Sequence, residues 1–154
     1  MPRITAVVHT HNDGLRLGRC LETVYPCDEI LVIDHGSNDD TQQIARDYGA
    51  KVVGAAASVQ SYIEEGWILC LDPRESLTEA LSASLYEWKT EPLRSDVASF
   101  AAMLREETSE GWIEHPAAQT RLVPVNWQRW RGRLPAEDPS AIVLQGEILR
   151  FTLP

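Results

Sequence analysis

A chain of 154 residues suits one compact domain, and at this length folding buries roughly 68–70% of the surface that the unfolded chain exposes. Hydrophobic residues make up 44% and charged residues 24%, a balance that excludes disordered and fibrous classes. The net charge of -9 excludes broad phosphate-backbone binding, so no nucleic-acid partner is expected, although Arg121, Arg129, Arg131 and Arg133 form a local basic stripe.

In chain order, Ile4 to His9 is a β-branched apolar run and reads as a buried strand. Asn12, Asp13 and Gly14 make a turn, and Leu17, Cys20, Leu21 and Val24 then fall at helical spacing until Pro26. Glu29 to Asp34 is a second buried strand. The polar turn His35 to Asp39 follows, and Asp39 or Asp40 caps a helix over Thr41 to Tyr48 that Gly49 ends. Lys51 to Val53 is a short third strand. Ala55 to Glu65 is expected to be a short helix that turns Val59, Tyr62 and Ile63 inward. Trp67 to Leu71 is the fourth strand, ending at Asp72, and Thr78 caps a helix with Leu77, Leu81, Leu85 and Trp88 on one side.

Strand–helix alternation up to this point predicts a parallel α/β sheet. Beyond it, Val97 to Leu104, Arg121 to Val125, Gln128 to Arg133 and Ile142 to Phe151 read as strands without helices between them. They are expected as antiparallel or mixed additions at the sheet edge. Three cysteines, Cys20, Cys27 and Cys70, fit neither a disulfide framework nor a C-x-x-C metal site, and read as reduced core residues of a reducing compartment. No stretch reaches the length of a transmembrane helix and no signal-peptide pattern is present. The expected location is cytoplasmic, and any membrane contact is expected to be peripheral, at the inner face.

In open α/β sheets, ligands bind beyond the carboxyl ends of the strands, where the strand order switches. Here those ends carry His9, Thr10, His11 and Asn12, then Asp34, His35 and Gly36, then Asp72, Pro73, Arg74 and Glu75. Packing gives no reason for three polar clusters on one rim, so the rim is the candidate site. The dinucleotide fingerprint G-x-G-x-x-G, the P-loop and G-x-S-x-G are all absent. One reading groups His9, His11 and His35 with Asp34 as transition-metal ligands. The other has them line a polar cleft. Trp127 and Trp130 could stack an acceptor sugar, and Arg129, Arg131 and Arg133 could hold phosphate or solvate a strand face.

The stretch ITAVVHTHNDGLRLGRCLETVYPCDEILVIDHGSNDDTQQIARDYGAKVV resembles the start of a family 2 glycosyltransferase with the GT-A fold. WILCLDPRESLTEAL resembles the family's strand, D-x-D motif and following helix, and TRLVPVNWQRWRGRL is similar to its downstream Trp-Arg-Gly strand pair. The resemblance implies a GT-A-like α/β single domain over 1–154, with a mainly parallel sheet flanked by helices and mixed or antiparallel C-terminal strands. Residues 1–90 would be the nucleotide-binding βαβ half and 91–154 a shortened acceptor-side half. It also implies inverting transfer of a sugar from a nucleotide-sugar, a UDP-sugar, to a glycan or lipid-linked acceptor of cell-envelope polysaccharide type.

By resemblance, Thr10, Asn12 and Asp34 bind the donor and Asp72 is the first acid of D-x-D, while His35, beside Asp34, and Arg74, as a charge for phosphate, join the donor site and Glu75 joins Asp72 on the chemistry of the residues themselves. Asp72 and Glu75 hold Mn²⁺ or Mg²⁺, hard cations that bridge carboxylates to diphosphate oxygens. Glu137 or Glu114 serves as the base that takes the acceptor proton. The chain departs from the family where Arg74 stands in place of the second D-x-D acid, and where the stretch between Lys51 and Trp67 is short. Those departures keep a second reading open, a catalytically inactive relic that binds a nucleotide, a sugar or a protein partner. An open sheet edge is compatible with a homodimer.

Overall fold

The computed structural model describes residues 2–56, 58–91 and 96–152. The β-branched apolar runs form strands where they were expected. These are β1 (Ile4–Thr10), β2 (Glu29–Asp34), β3 (Lys51–Gly54) and β4 (Trp67–Leu71). Between and after them lie α1 (Leu17–Glu22), α2 (Thr41–Asp47) and α3 (Glu79–Thr90). The remaining strands are β5 (Glu75–Leu77), β6 (Phe100–Thr108), β7 (Gly111–Glu114), β8 (Gln119–Pro124), β9 (Trp130–Arg131), β10 (Leu134–Pro135) and β11 (Ile142–Arg150).

Nine strands share one sheet in the order β3-β2-β1-β4-β8-β6-β11-β5, with β7 paired to β6 as a hairpin. The pairs β2–β3, β1–β2 and β1–β4 are parallel. The chain thus steps outward from β1 to β3 and returns to β4 on the other side of β1, so the topological switch lies between β1 and β4. β8 runs antiparallel beside β4, and β11 lies parallel to β6 and antiparallel to β5. The late strands are therefore mixed, as expected. They are not confined to an edge, because β8 sits next to β4 in the middle of the sheet.

Alternation along each strand divides the core into two layers. Ile4, Ala6 and Val8 of β1, Val32 of β2, and Leu69 and Leu71 of β4 meet Leu17, Cys20 and Leu21 of α1, Ala45 of α2, and Leu81, Leu85 and Trp88 of α3. Trp67, Trp88 and Phe100 stack edge-on, with centroids 5.2 to 5.7 Å apart. The opposite face of the strands presents Val7, Leu31, Ile33, Ile68, Cys70 and Val123 to Ile63 and Trp127. All three helices thus cover one face, and the other is covered by short loop segments.

That second face accounts for two departures from the expected elements. The segment 55–65 was expected to be a helix, but its described residues hold only one 3-10 turn, Val59–Ser61 (residue 57 lies outside the described residues). Ile63 is its one buried side chain, too little apolar surface to fix a helix this short. The strand expected over Gln128 to Arg133 shrinks to Trp130–Arg131, paired only with Leu134–Pro135. There the Trp127 indole N–H donates to the Arg129 carbonyl at 2.6 Å, and that of Trp130 to the Trp127 carbonyl at 2.9 Å, winding the chain into a loop. The strand expected from Val97 begins at Phe100 and continues to Thr108. Among the described residues no helix is long and apolar enough to cross a membrane.

Candidate functional site

Register brings the rim together. Thr10 pairs with Asp34 across β1 and β2, and Val8 pairs with Leu71 across β1 and β4, so Thr10, Asp34 and Asp72 end neighbouring strands. The loop after β1 is laced to the loop after β2. The Asn12 amide N–H donates to Ser37 Oγ (2.9 Å), and Asn12 Oδ1 accepts from the Asn38 amide (2.7 Å). The Asp13 amide donates to Thr41 Oγ1 (2.9 Å), and the Gly14 amide to Asp39 (3.0 Å). Asn12 has φ 52°, a left-handed conformation that Asn tolerates better than most residues. Asp39 rather than Asp40 caps α2, accepting the Thr41 amide at 3.0 Å.

Asp34 is 5% exposed and its carboxylate is occupied locally. It accepts from Ser37 Oγ, from the Ser37 amide at 3.2 Å and from Gln42 Nε2 at 2.6 Å. Burial pushes its pKa up, but the bonds from Ser37 and Gln42 outweigh burial and hold the carboxyl below its ordinary range. Thr10 Oγ1 donates to Asp13 at 2.7 Å.

The histidines do not assemble a metal site. His9 Nδ1 and His35 Nε2 lie 2.9 Å apart, sharing one proton, and His11 Nδ1 donates to the His35 carbonyl at 2.7 Å. Among the described residues no three His, Cys, Asp or Glu side chains are placed to hold a metal ion. Burial, then the charges of His35 and Arg133, push His9 down to about 4. His9 also lines a cleft of about 190 Å³ with Trp130, Gly132, Arg133 and Gln60, on the face away from the helices. The reading that the histidines line a polar cleft holds here for His9, and what the sequence does not show is the cleft's other wall, a loop more than a hundred residues later.

The third cluster is organised by arginine. The Arg74 guanidinium grips Asp72, with Nε 2.9 Å from Oδ1 and Nη2 3.4 Å from Oδ2, and its amide donates to the same Oδ1 at 2.9 Å. Both side chains remain partly exposed, at 41% and 31%. Burial alone would raise the Asp72 carboxyl, but Arg74 outweighs it and holds the acid below its ordinary range.

Glu75 points the other way, into the protein, and is 0% exposed. Arg121 meets its two oxygens at 2.5 and 3.0 Å, and Arg150 adds bonds of 3.1 and 2.8 Å. Glu75 Oε1 also accepts the Asp72 amide at 2.9 Å, so this buried ion pair holds the turn that presents Asp72 and Arg74. A cation could use Glu75 only by displacing two guanidinium groups, and Asp72 only by displacing a third. The donor set does not fit a divalent metal.

Arg121 leaves the basic stripe as well, being 2% exposed and neutralised by Glu75. Arg129 lies over the Trp127 ring at 4.5 Å and 3.4 Å from Asp138, while Arg133 faces the two histidines. Trp127 is a core residue, 7% exposed. Glu114 lies on exposed β7, where its register partner is Arg105, and Glu137 is exposed in the loop after β10. Cys20 and Cys70 are buried free thiols, and Cys27 is a half-buried one. Burial pushes Cys70 up to about 12.

Comparison with known proteins agrees with this fold. Residues 5–55 match the family model described as glycosyl transferase family 2. An uncharacterized glycosyltransferase of Rickettsia felis is 36% identical over 90 residues, which cover 53% of this chain and 32% of the relative. The lipopolysaccharide core biosynthesis glycosyltransferase LpsC of Rhizobium meliloti is 36% identical over 64 residues, covering 42% of this chain and 18% of that protein. The chain thus spans about a third or less of the curated relatives it matches. Among solved structures, glucosyl-3-phosphoglycerate synthase of Mycobacterium tuberculosis with Mn²⁺ and UDP-glucose superposes with a TM-score of 0.52 at 19% identity, over 68% of this chain and 44% of that one. The same enzyme with Mn²⁺, UDP and phosphoglyceric acid gives 0.51 at 17% identity, over 71% and 45%. The chain has the fold of GT-A glycosyltransferases, and its sequence is glycosyltransferase-like.

Proposed function

We propose that this chain is the donor-binding domain of an inverting glycosyltransferase, holding a nucleotide-sugar at the rim between β1 and β4 for transfer to a glycan or lipid-linked acceptor. One observation carries the reading. Thr10, Asp34 and Asp72 meet at the carboxyl ends of adjacent parallel strands, at the point where the strand order reverses. Asn12 and His35 flank that point from the laced loops, and Arg74 stands beside Asp72 with donors for an anionic group. The UDP bound by the structural relatives makes a UDP-sugar the first donor to test, and the LpsC match makes a cell-envelope glycan the first acceptor. Such a role places the chain in the cytoplasm at the inner face of the membrane. A homodimer formed through the sheet-edge strand β3 belongs to the same proposal.

Titration of UDP, GDP and CDP into the chain tests the reading. One nucleotide is expected to bind in the micromolar range, and Asp34→Asn, which loosens the loops around it, should weaken binding at least about tenfold. Failure of all three nucleotides to bind, with and without Mn²⁺, would remove the donor-site reading.

A second reading, nucleotide binding without transfer, is favoured by the placement of the acids. Glu75 is sequestered by Arg121 and Arg150, and Asp72 is gripped by Arg74. Incubating the chain with UDP-glucose, with and without a cell-envelope glycan as acceptor, and following both released UDP and glucosylated acceptor separates the two. Turnover supports the transferase, and binding without turnover supports the module.

A further inference from the structure

We infer that the site takes the diphosphate of its nucleotide on Arg74 and needs no divalent cation, an inference that rests on the donor-site reading above. The argument begins with charge. A cation bridging a diphosphate to protein needs surplus negative charge and free carboxylate oxygens. At this turn Asp72 and Glu75 face three guanidinium groups, those of Arg74, Arg121 and Arg150, and Arg150 also reaches Glu106 at 3.6 Å. Even with Glu106 included, and with Asp13, whose charge also acts on Arg74 and which lies 3.8 Å from Arg16, four acids face four arginines. No surplus remains to offset the cost of stripping water from a dication.

The same balance suits an anion. Arg74 occupies the third position of the Asp72-Pro73-Arg74 turn, at the mouth of the switch point, with its side chain 41% exposed. A guanidinium carries five N–H donors, and Asp72 engages Nε and Nη2, so donors remain for phosphate oxygens. Arginine matches phosphate geometry in a planar fork and stays charged at any working pH.

The turn itself is held rigidly from below. Glu75 accepts the Asp72 amide, the Glu75 amide donates to the Asp72 carbonyl at 2.9 Å, and the Phe151 amide donates to the Arg74 carbonyl at 2.8 Å. Asp72 thereby becomes a positioning residue for Arg74, and the buried acid Glu75 anchors the turn.

Calorimetric titration of UDP into the chain, once in excess EDTA and once with Mn²⁺, tests this directly. The expected result is binding in EDTA with a Kd within about twofold of that in Mn²⁺, and a Kd raised about tenfold or more in Arg74→Gln. Arg74→Asp, which supplies a second acid, should lose binding in EDTA. Thermal melts of both variants check that they fold, as expected for a partly exposed side chain. Binding that appears only with Mn²⁺, or an Arg74→Gln variant that binds UDP as tightly as the parent, would overturn the inference while leaving the donor site standing. No binding of UDP, GDP or CDP under either condition would overturn both.

Discussion

At the residue scale, the rim shows how polar side chains are fixed by one another. His9 is half-buried on the sheet face away from the helices, 2.9 Å from the His35 ring and close to Arg133. Burial comes first, and with the neighbouring charges it keeps His9 neutral down to about pH 4, against 6.5 for a free histidine. Above about pH 6.5 both folded and unfolded chains carry it neutral, and its contribution to stability is complete. As pH falls from there to about 4, the unfolded chain takes the proton first and the folded state loses ground. The urea midpoint should therefore drop between pH 7 and pH 5. In His9→Gln the drop should shrink to the part contributed by His35, whose pKa burial also lowers. An equal drop in parent and variant would mean that His9 is not held neutral.

At the element scale, β11 is the strand that ties the C-terminal half to the Asp72 turn. It lies parallel to β6 with a register shift between Val143 and Glu147, and antiparallel to β5. In that shift Gly146 adopts φ 103°, and a Cβ added there would meet the Leu81 backbone nitrogen, at the start of α3, at 2.2 Å. The strand presses so close because Thr78 both caps α3 and bonds to Glu147. The Thr78 amide donates to the Glu147 carbonyl at 3.1 Å, and Thr78 Oγ1 accepts the Glu147 amide at 3.0 Å. Gly146→Ala must move β11 off α3 as well as strain the backbone. It is expected to cost at least about 2 kcal/mol, read as a lower urea midpoint at unchanged slope. A variant within about 0.5 kcal/mol of the parent would show that the bulge is loose.

Element positions were legible to different degrees for a physical reason. β1, β2, β4 and α3 were readable because each carries an unbroken apolar run or a helical stripe that one core layer absorbs. The segment before β4 was misjudged as a helix because Val59 and Ile63 sit at helical spacing. Spacing alone does not stabilise a helix when a single side chain is buried. β5 is three residues long, and nothing local marks it as a strand, since its pairing is with β11 at the far end of the chain.

At the scale of the whole molecule, stability should be graded across the sheet. Ile4, Ala6 and Val8 of β1 and Ile68 of β4 are 0% exposed, with paired strands on both sides. β3 closes one edge of the sheet, and β7 is exposed along its whole length. Hydrogen exchange should be slowest in β1 and β4 and fastest in β3 and β7, differing by several kcal/mol of opening free energy on the order of the global stability. Protection of β7 equal to that of β1 would contradict this order. Three helices on one face and only loop segments on the other also leave the His9–Trp130–Arg133 cleft open.

The amino-acid sequence by itself determined the parallel β1–β4 half, the acids at its strand ends and the likeness to family 2 glycosyltransferases, because all three are written in local runs of residues. It also showed that Arg74 replaces an acid. Only the tertiary structure decided what that replacement does. The sequence offers Glu75 as a ligand, yet it is buried between Arg121, 46 residues away, and Arg150, 75 residues away. The His9 cleft likewise depends on Trp130 and Arg133 arriving from a distant loop. Charge at a site is a sum over whatever the fold brings within a few ångströms, and no local pattern carries that sum.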